Sequence, residues 1–219
     1  MCFSPEADVA AGVFVGAVGI DALRHVHRRS ELALASLPLL FSIHQFVEAA
    51  VWGSLSGAVS PDLGRVATWI YLGFAFGVLP VLVPFAVLGI EPEVRRRRLI
   101  APFCVLGVFV AATLTNALVH GPIGVMMAPY HLIYVTGLRY GAQLTALYVL
   151  ATCGPLLVSS YRRVVIFGAA NLVAIPVLLW LTVTGFVSLW CVWAALTSIA
   201  ITAHLRLVNG RRAVQSATL

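Results

Sequence analysis

There is no lysine among the 219 residues: all fourteen basic side chains are arginine. The chain therefore has no side-chain amine for a Schiff base, which excludes retinal and the other cofactors held that way. Charge of either sign is scarce, at 10% of residues, where a typical soluble domain has roughly 25%. Four cysteines, Cys2, Cys104, Cys153 and Cys191, stand singly without a C-x-x-C pair, so neither a disulfide framework nor a zinc ribbon is indicated. What is abundant is apolar, at 61% hydrophobic residues, and this is the composition of an integral membrane protein. A net charge of +6 would suggest nucleic acid in a soluble protein. Here the arginines flank apolar runs and read as topology signals facing anionic lipid, so the expected partner is the bilayer and no nucleic acid.

Seven apolar runs, at about residues 5–25, 32–55, 66–90, 99–120, 142–160, 164–183 and 186–208, each approach the roughly 20 residues that a helix needs to cross a bilayer. They predict an all-α, single-domain bundle of seven transmembrane helices. The N-terminus has no basic segment leading to a small-residue cleavage site, so the first run is expected to be retained. Twelve arginines (24, 28, 29, 95–98, 162, 163, 206, 211 and 212) fall in the first, third and fifth connections and the tail, against Arg65 and Arg139 on the other side. By the positive-inside rule the N-terminus is outside and the C-terminus cytoplasmic, in a cell inner membrane. His27-Arg28-Arg29 with Ala35-Ser36 can be laid over Tyr161-Arg162-Arg163 with Ala169-Ala170, which suggests a parallel three-plus-one-plus-three repeat.

Local signals refine this outline. Ser4-Pro5-Glu6-Ala7-Asp8 has the cap, the proline and the first-turn acids of a helix start. Gly12-x-x-x-Gly16, followed by Gly19, is a small-residue stripe that admits a close neighbour and is compatible with a homo-oligomer. Asp21 and Arg24 are spaced for a local ion pair. Pro80 and Pro84, after Gly73-x-x-x-Gly77, predict a kink. The run Glu91-Pro92-Glu93-Val94-Arg95-Arg96-Arg97-Arg98 reads as a cytoplasmic anchor, with Arg95, Arg96, Arg97 and Arg98 available to lipid headgroups. In the longest connection, 121–140, the stretch Tyr130-His131-Leu132-Ile133-Tyr134-Val135 has strand-like or interfacial character. His25, His27 and His204 lie at cytoplasmic ends, where dipole roles suffice, and Trp190 and Trp193 read as packing or an aromatic belt.

The candidate site is on the second run. His44, Glu48 and Trp52 follow at i, i+4 and i+8 with Gln45 beside them, so all four share one helical face. That face must meet protein or water, because an ionisable group in hydrocarbon costs a few kcal/mol and marks a functional site by default. Orientation places His44 near the midplane and Glu48 about 6 Å further out. Asn116, His120, His131, Cys2 and Cys191 fall in the same outer half. A ligand-binding or proton-active set of Glu48, His44, Gln45, Asn116 and Trp52 follows. A metal set of Glu48 with some of His44, His120, His131 and Cys2 is the sharper version, suited to zinc, iron or copper. Removal of Met1 would leave Cys2 with a free amine and a thiol on one residue; if Met1 stays, Cys2 is a small residue in a cap.

In Met1-Cys2-Phe3-Ser4, His44-Gln45-x-x-Glu48 and Ser188-Leu189-Trp190-Cys191, the chain resembles an uncharacterised family of bacterial multi-pass membrane proteins that begin Met-Cys-Phe-Ser. The resemblance implies a membrane bundle and brings no activity with it. Members of that family often carry two adjacent histidines in the outer loop, where this chain has Tyr130-His131. In architecture the chain is also similar to seven-helix zinc hydrolases of the alkaline ceramidase type, but it has only His204 where those place a His-x-x-x-His pair.

Three functions remain open at this point. The leading one is a small ligand or ion bound for sensing or transport. The alternative is a metal-dependent membrane enzyme acting on a lipid-like substrate, which requires three or more converging ligands. The third is a structural or assembly subunit, which requires the Gly12 to Gly19 stripe to be exposed.

Overall fold

A computed structural model of the chain describes residues 4–129, 131–138, 140–181, 193, 199–203 and 205–207. Cys2, Tyr130, Arg139, Trp190, Cys191, His204, Arg211 and Arg212 lie outside the described residues. Helix α1 (Pro5–Arg24) starts as its local code requires, with Ser4 Oγ accepting the Ala7 N–H at 3.3 Å and proline in the first turn. A short 3₁₀ turn, Arg29–Glu31, leads into α2 (Leu32–Leu55). Glu31 closes that turn by accepting the N–H groups of His27 at 3.1 Å and Arg28 at 3.4 Å.

The next span begins earlier than the hydropathy suggests, because Ser60 caps α3 (Pro61–Gly73) and carries the helix through Asp62 and Arg65. The expected proline kink takes the form of a π-helical segment, Phe74–Val78, between α3 and α4 (Leu79–Ile90). Pro80 lacks an N–H, and the wider i to i+5 spacing, seen in the Leu79 N–H bonded to the Phe74 carbonyl, absorbs the mismatch. The Ala75 carbonyl in this segment accepts the Tyr148 hydroxyl at 3.0 Å. Helix α5 (Val94–His120) takes the arginine run into its first two turns. A two-stranded antiparallel hairpin, β1 (Ile123–Met127) and β2 (Leu132–Thr136), follows, then α6 (Gly141–Val158) and α7 (Arg162–Leu181).

Five helical stretches are long and apolar enough to span a membrane: Arg29–Leu55, Pro61–Ile90, Val94–His120, Gly141–Val158 and Arg162–Trp180. They do not include α1, which is long enough but carries Glu6, Asp8, Asp21 and Arg24. Large apolar side chains such as Phe14, Ile43, Phe85, Val105, Phe109 and Trp180 stand on the outside of the bundle. A surface this apolar belongs in lipid, and the chain is a membrane-embedded helical protein.

Contacts that hold the bundle are of two kinds. Small residues let backbones touch: Gly12 meets the Phe46 ring, Gly16 meets Ser42, and a Cβ at Gly19 would lie 2.6 Å from the Leu39 backbone nitrogen. The stripe is thus consumed by the α1–α2 interface, contrary to what a structural subunit with an exposed stripe requires. Gly107 packs so tightly that a Cβ there would run into the Pro80 carbonyl. Polar staples, the second kind, gather at the arginine-rich end. Asp21 pairs with Arg206 of the last segment at 2.6 and 2.7 Å, rather than with Arg24 as spacing suggested. Arg96, assigned to headgroups from sequence, instead bonds Glu93 at 2.8 Å and the Val158 and Ser159 carbonyls at 2.9 and 3.2 Å, while Arg95, Arg97 and Arg98 remain exposed. Buried Glu91 accepts from Ser159 Oγ at 3.2 Å, Ser160 N at 2.8 Å, the Ser160 hydroxyl and Glu93 N at 3.2 Å. The two turns aligned in the suggested repeat are therefore built differently. The first is closed by its own Glu31, the second by Glu91 from another connection.

Two outcomes follow for stability. Gly107→Ala should lower stability by about 1–3 kcal/mol through overpacking, whereas Gly73→Ala, where a Cβ meets nothing within 4 Å, should be neutral or mildly stabilising; thermal unfolding in detergent reads both. Burial pushes the Glu91 carboxyl up, but its hydrogen bonds from Ser160, Glu93 and Ser159 outweigh this and hold it below the ordinary 4.5. A depressed folded-state value means a contribution complete above about pH 4.5 and lost as pH falls further. Glu91→Ala should cost about 1–3 kcal/mol at neutral pH and should flatten the loss of stability that the unsubstituted protein shows on acidification from about pH 5 to about pH 3.

Candidate polar layer beneath the hairpin

Helix α2 turns one arc into the bundle, and the four residues singled out in sequence all lie on it. His44 is 2% exposed, Gln45 and Glu48 are wholly buried and Trp52 is 5% exposed. Opposite faces of the same helix carry Ile43 and Phe46 outward. The arc is anchored on one side by Ser42 Oγ, which donates to the Gly12 carbonyl at 2.7 Å. Gln45 stands three residues after Ser42 and three before Glu48, midway round the helix between the α1 contact and the glutamate. Both atoms of its amide are buried without a hydrogen-bond partner, as is the Trp52 indole N–H. Such a group costs roughly 1–3 kcal/mol when left unpaired.

His44 is held by rings. Its imidazole stacks on Tyr71 of α3 at 4.0 Å and 12°, Tyr71 stacks in turn on Tyr134 of β2 at 4.6 Å and 10°, and Phe74 leans on His44 at 4.8 Å. The three-ring column joins the middle of α2 to the hairpin. Leu132, fully buried, packs with Val51, Trp52 and Ala67, so β2 covers the end of the polar arc. The strand-like stretch seen in sequence is therefore a cap on the bundle. His131 sits in the hairpin turn, where its carbonyl accepts the Ala128 N–H at 3.0 Å.

Other expected members do not join. Asn116 and His120 are exposed on α5, with His120 Nδ1 at 3.0 Å from the Asn116 carbonyl, so neither faces the α2 arc. Among the described residues no three of His, Cys, Asp and Glu come together in a way that could hold a metal ion. Cys2, the remaining residue of the expected metal set, lies outside the described residues. A cleft of about 370 Å³ does open nearby, between the end of α2, the start of α3 and β1, lined by Ser54, Gly64, Arg65, Thr68, Trp69 and Gly124 among others.

Two buried side chains escaped the sequence reading. Tyr71 was invisible because nothing local marks an aromatic ring as part of a column. Asp8 was read only as a first-turn acid, yet it is wholly buried. A signal existed: Asp8 lies four residues before Gly12, on the same helical face as the glycine stripe.

The column yields a test of the hairpin's attachment. Tyr134→Ala should accelerate amide hydrogen exchange across residues 123–136 by about tenfold or more, equivalent to about 1.4 kcal/mol, while Tyr134→Phe, which keeps the ring, should leave that protection in place. Unchanged exchange in the alanine variant would mean that the stack does not anchor the cap.

No curated protein and no solved structure matches the chain. Residues 1–217 match a family of unknown function, DUF6629, and the chain belongs to that family.

Proposed function

We propose that this protein spans the inner membrane seven times, N-terminus outside, and binds a small polar ligand or ion for sensing or transport in the layer around Glu48. Seven spans require α1 and the segment to which residues 193–207 belong to cross beside the five apolar helices. The charge of α1 argues for this arrangement, because its buried face carries Asp8 against α2 and its Arg24 lies at the arginine-rich end. Arginines at one end of the bundle and few at the other support the orientation.

One observation carries the functional reading: a fully buried glutamine whose amide has no partner, one turn from a fully buried glutamate, beneath a cap. A protein selected only to pack would place an apolar residue at position 45, since an unpaired amide there lowers stability. Retained polar groups that weaken a core are those a ligand uses. The cap formed by β2 and the adjoining cleft at the ends of α2 and α3 supply a covered layer with an approach from the hairpin end.

The test is a stability trade. Gln45→Leu should raise the thermal stability of the ligand-free protein by about 1–3 kcal/mol, and should abolish any rise in melting temperature that the unsubstituted protein shows across a panel of amino acids, sugars, nucleosides and inorganic salts. A variant that is less stable, together with an unsubstituted protein indifferent to every solute, would refute the reading.

A further inference from the structure

At the hairpin end, three of the stretches apolar enough to span a membrane begin or stop: Leu55 ends one, Pro61 begins the next and His120 ends the third. Leu55, Pro61 and Gly121 all line the cleft of about 370 Å³, which therefore lies at the boundary between hydrocarbon and water. Helix α3 presents Arg65, Thr68 and Trp69 to it, at i, i+3 and i+4. Beside them Leu63, Val66 and Ile70, each more than half exposed, form the outward stripe of the same helix. Trp69 belongs to both surfaces, since it lines the cleft and is 40% exposed next to Ile70. One wall of the cleft is thus continuous with a lipid-facing surface, and the guanidinium stands about 6 Å nearer the helix start than the indole.

Arg65 Nη2 donates to Asp62 Oδ1 at 3.0 Å. Among the described residues this is the only bond made by its fork of five N–H groups, and Asp62 Oδ2 is likewise unused. The two side chains are 72% and 90% exposed, so their pair adds little to stability and opens at small cost. The rim of the cleft carries one positive and one negative group a single helical turn apart and is neutral as a unit. The other described arginines are at the opposite end of the bundle. A net anion here would meet Asp62 as well as Arg65, whereas a zwitterion satisfies both.

We infer that this cleft holds the headgroup of a zwitterionic phospholipid with a primary ammonium, of the phosphatidylethanolamine class, drawn from the leaflet at the hairpin end. Its phosphate accepts from the unused N–H groups of Arg65, its ammonium donates to Asp62, and an acyl chain runs past Trp69 along Val66 and Ile70. A guanidinium fork matches phosphate oxygens, and an indole suits the level at which headgroup gives way to chain. The two methylenes between the lipid's phosphate and its ammonium set the charges apart as neighbouring side chains one turn apart require. The site is separate from the layer around Glu48 and does not depend on it.

The full chain, purified in detergent and stripped of lipid, would be titrated with phosphatidylethanolamine, phosphatidylcholine and phosphatidylglycerol, with bound lipid read by native mass spectrometry and stability by thermal unfolding. Phosphatidylethanolamine should bind most tightly and raise the melting temperature most, as binding to the native state requires. Phosphatidylcholine has no N–H to give Asp62, and phosphatidylglycerol is a net anion. Arg65→Gln and Asp62→Asn should each weaken phosphatidylethanolamine binding about tenfold or more, as loss of a hydrogen bond between charged groups implies. Both side chains are exposed, so the variants should fold. Arg98→Gln, an exposed arginine at the opposite end, should leave that binding unchanged. Equal binding of the three lipids, a preference for phosphatidylglycerol, or binding that either rim variant retains would overturn the inference. Glycerophosphoethanolamine, the same head without acyl chains, should not compete; competition as effective as the lipid's would make the occupant a water-soluble zwitterion and overturn it too. None of these outcomes bears on Gln45.

Discussion

Helices surrounded by hydrocarbon gain little by burying apolar side chains against one another, since lipid is as apolar as leucine. What associates them is close backbone contact and polar bonding, and this structure divides the two by position. Glycines bring α1 onto α2 and α5 onto α4 along their lengths. Ion pairs and carboxylate-to-hydroxyl bonds join the helix ends where the arginines gather, through Asp21 with Arg206, Arg96 with the α6 terminus, and Glu91 with Ser159 and Ser160. Arginines that carry a topology signal therefore also tie the helix ends together.

With the arginine-rich end so fastened, the opposite end can hold a different kind of chemistry. There the connection between α5 and α6 is long enough to fold into a hairpin, whose Tyr134 and Leu132 reach down onto α2 and α3. Beneath it lie the polar side chains of α2. A π-helical segment beside this layer, beginning at Phe74, whose ring leans on His44, is a departure from regular backbone in the span. Buried polar groups, a locally widened helix and a cap occur together here, and such departures from ideal packing concentrate where a protein binds something.

Much of this was legible from residues alone. The second helix starts and ends where hydropathy puts it, because the apolar run is bounded by the Arg28–Glu31 turn at one end and by Ser56-Gly57 at the other. The shared face of His44, Gln45, Glu48 and Trp52 is likewise a property of one helix and its 3.6-residue period. The glycine stripe announced a close neighbour without naming it. The hairpin was visible only as strand character, since two five-residue strands give a weak periodic signal.

The sequence by itself therefore determined the class of protein, the approximate course of the described helices and the buried face of α2, all of which follow from local sterics and transfer free energy. Tertiary structure alone decided which faces meet: that Asp21 bonds Arg206 and not Arg24, that Asn116 and His120 turn away from Glu48, that Arg96 is a staple, and that Asp8 is buried. The physical reason is that helical periodicity fixes a side chain's direction relative to its own axis, whereas its neighbours depend on the rotation and register of other helices, which close packing across the whole bundle selects.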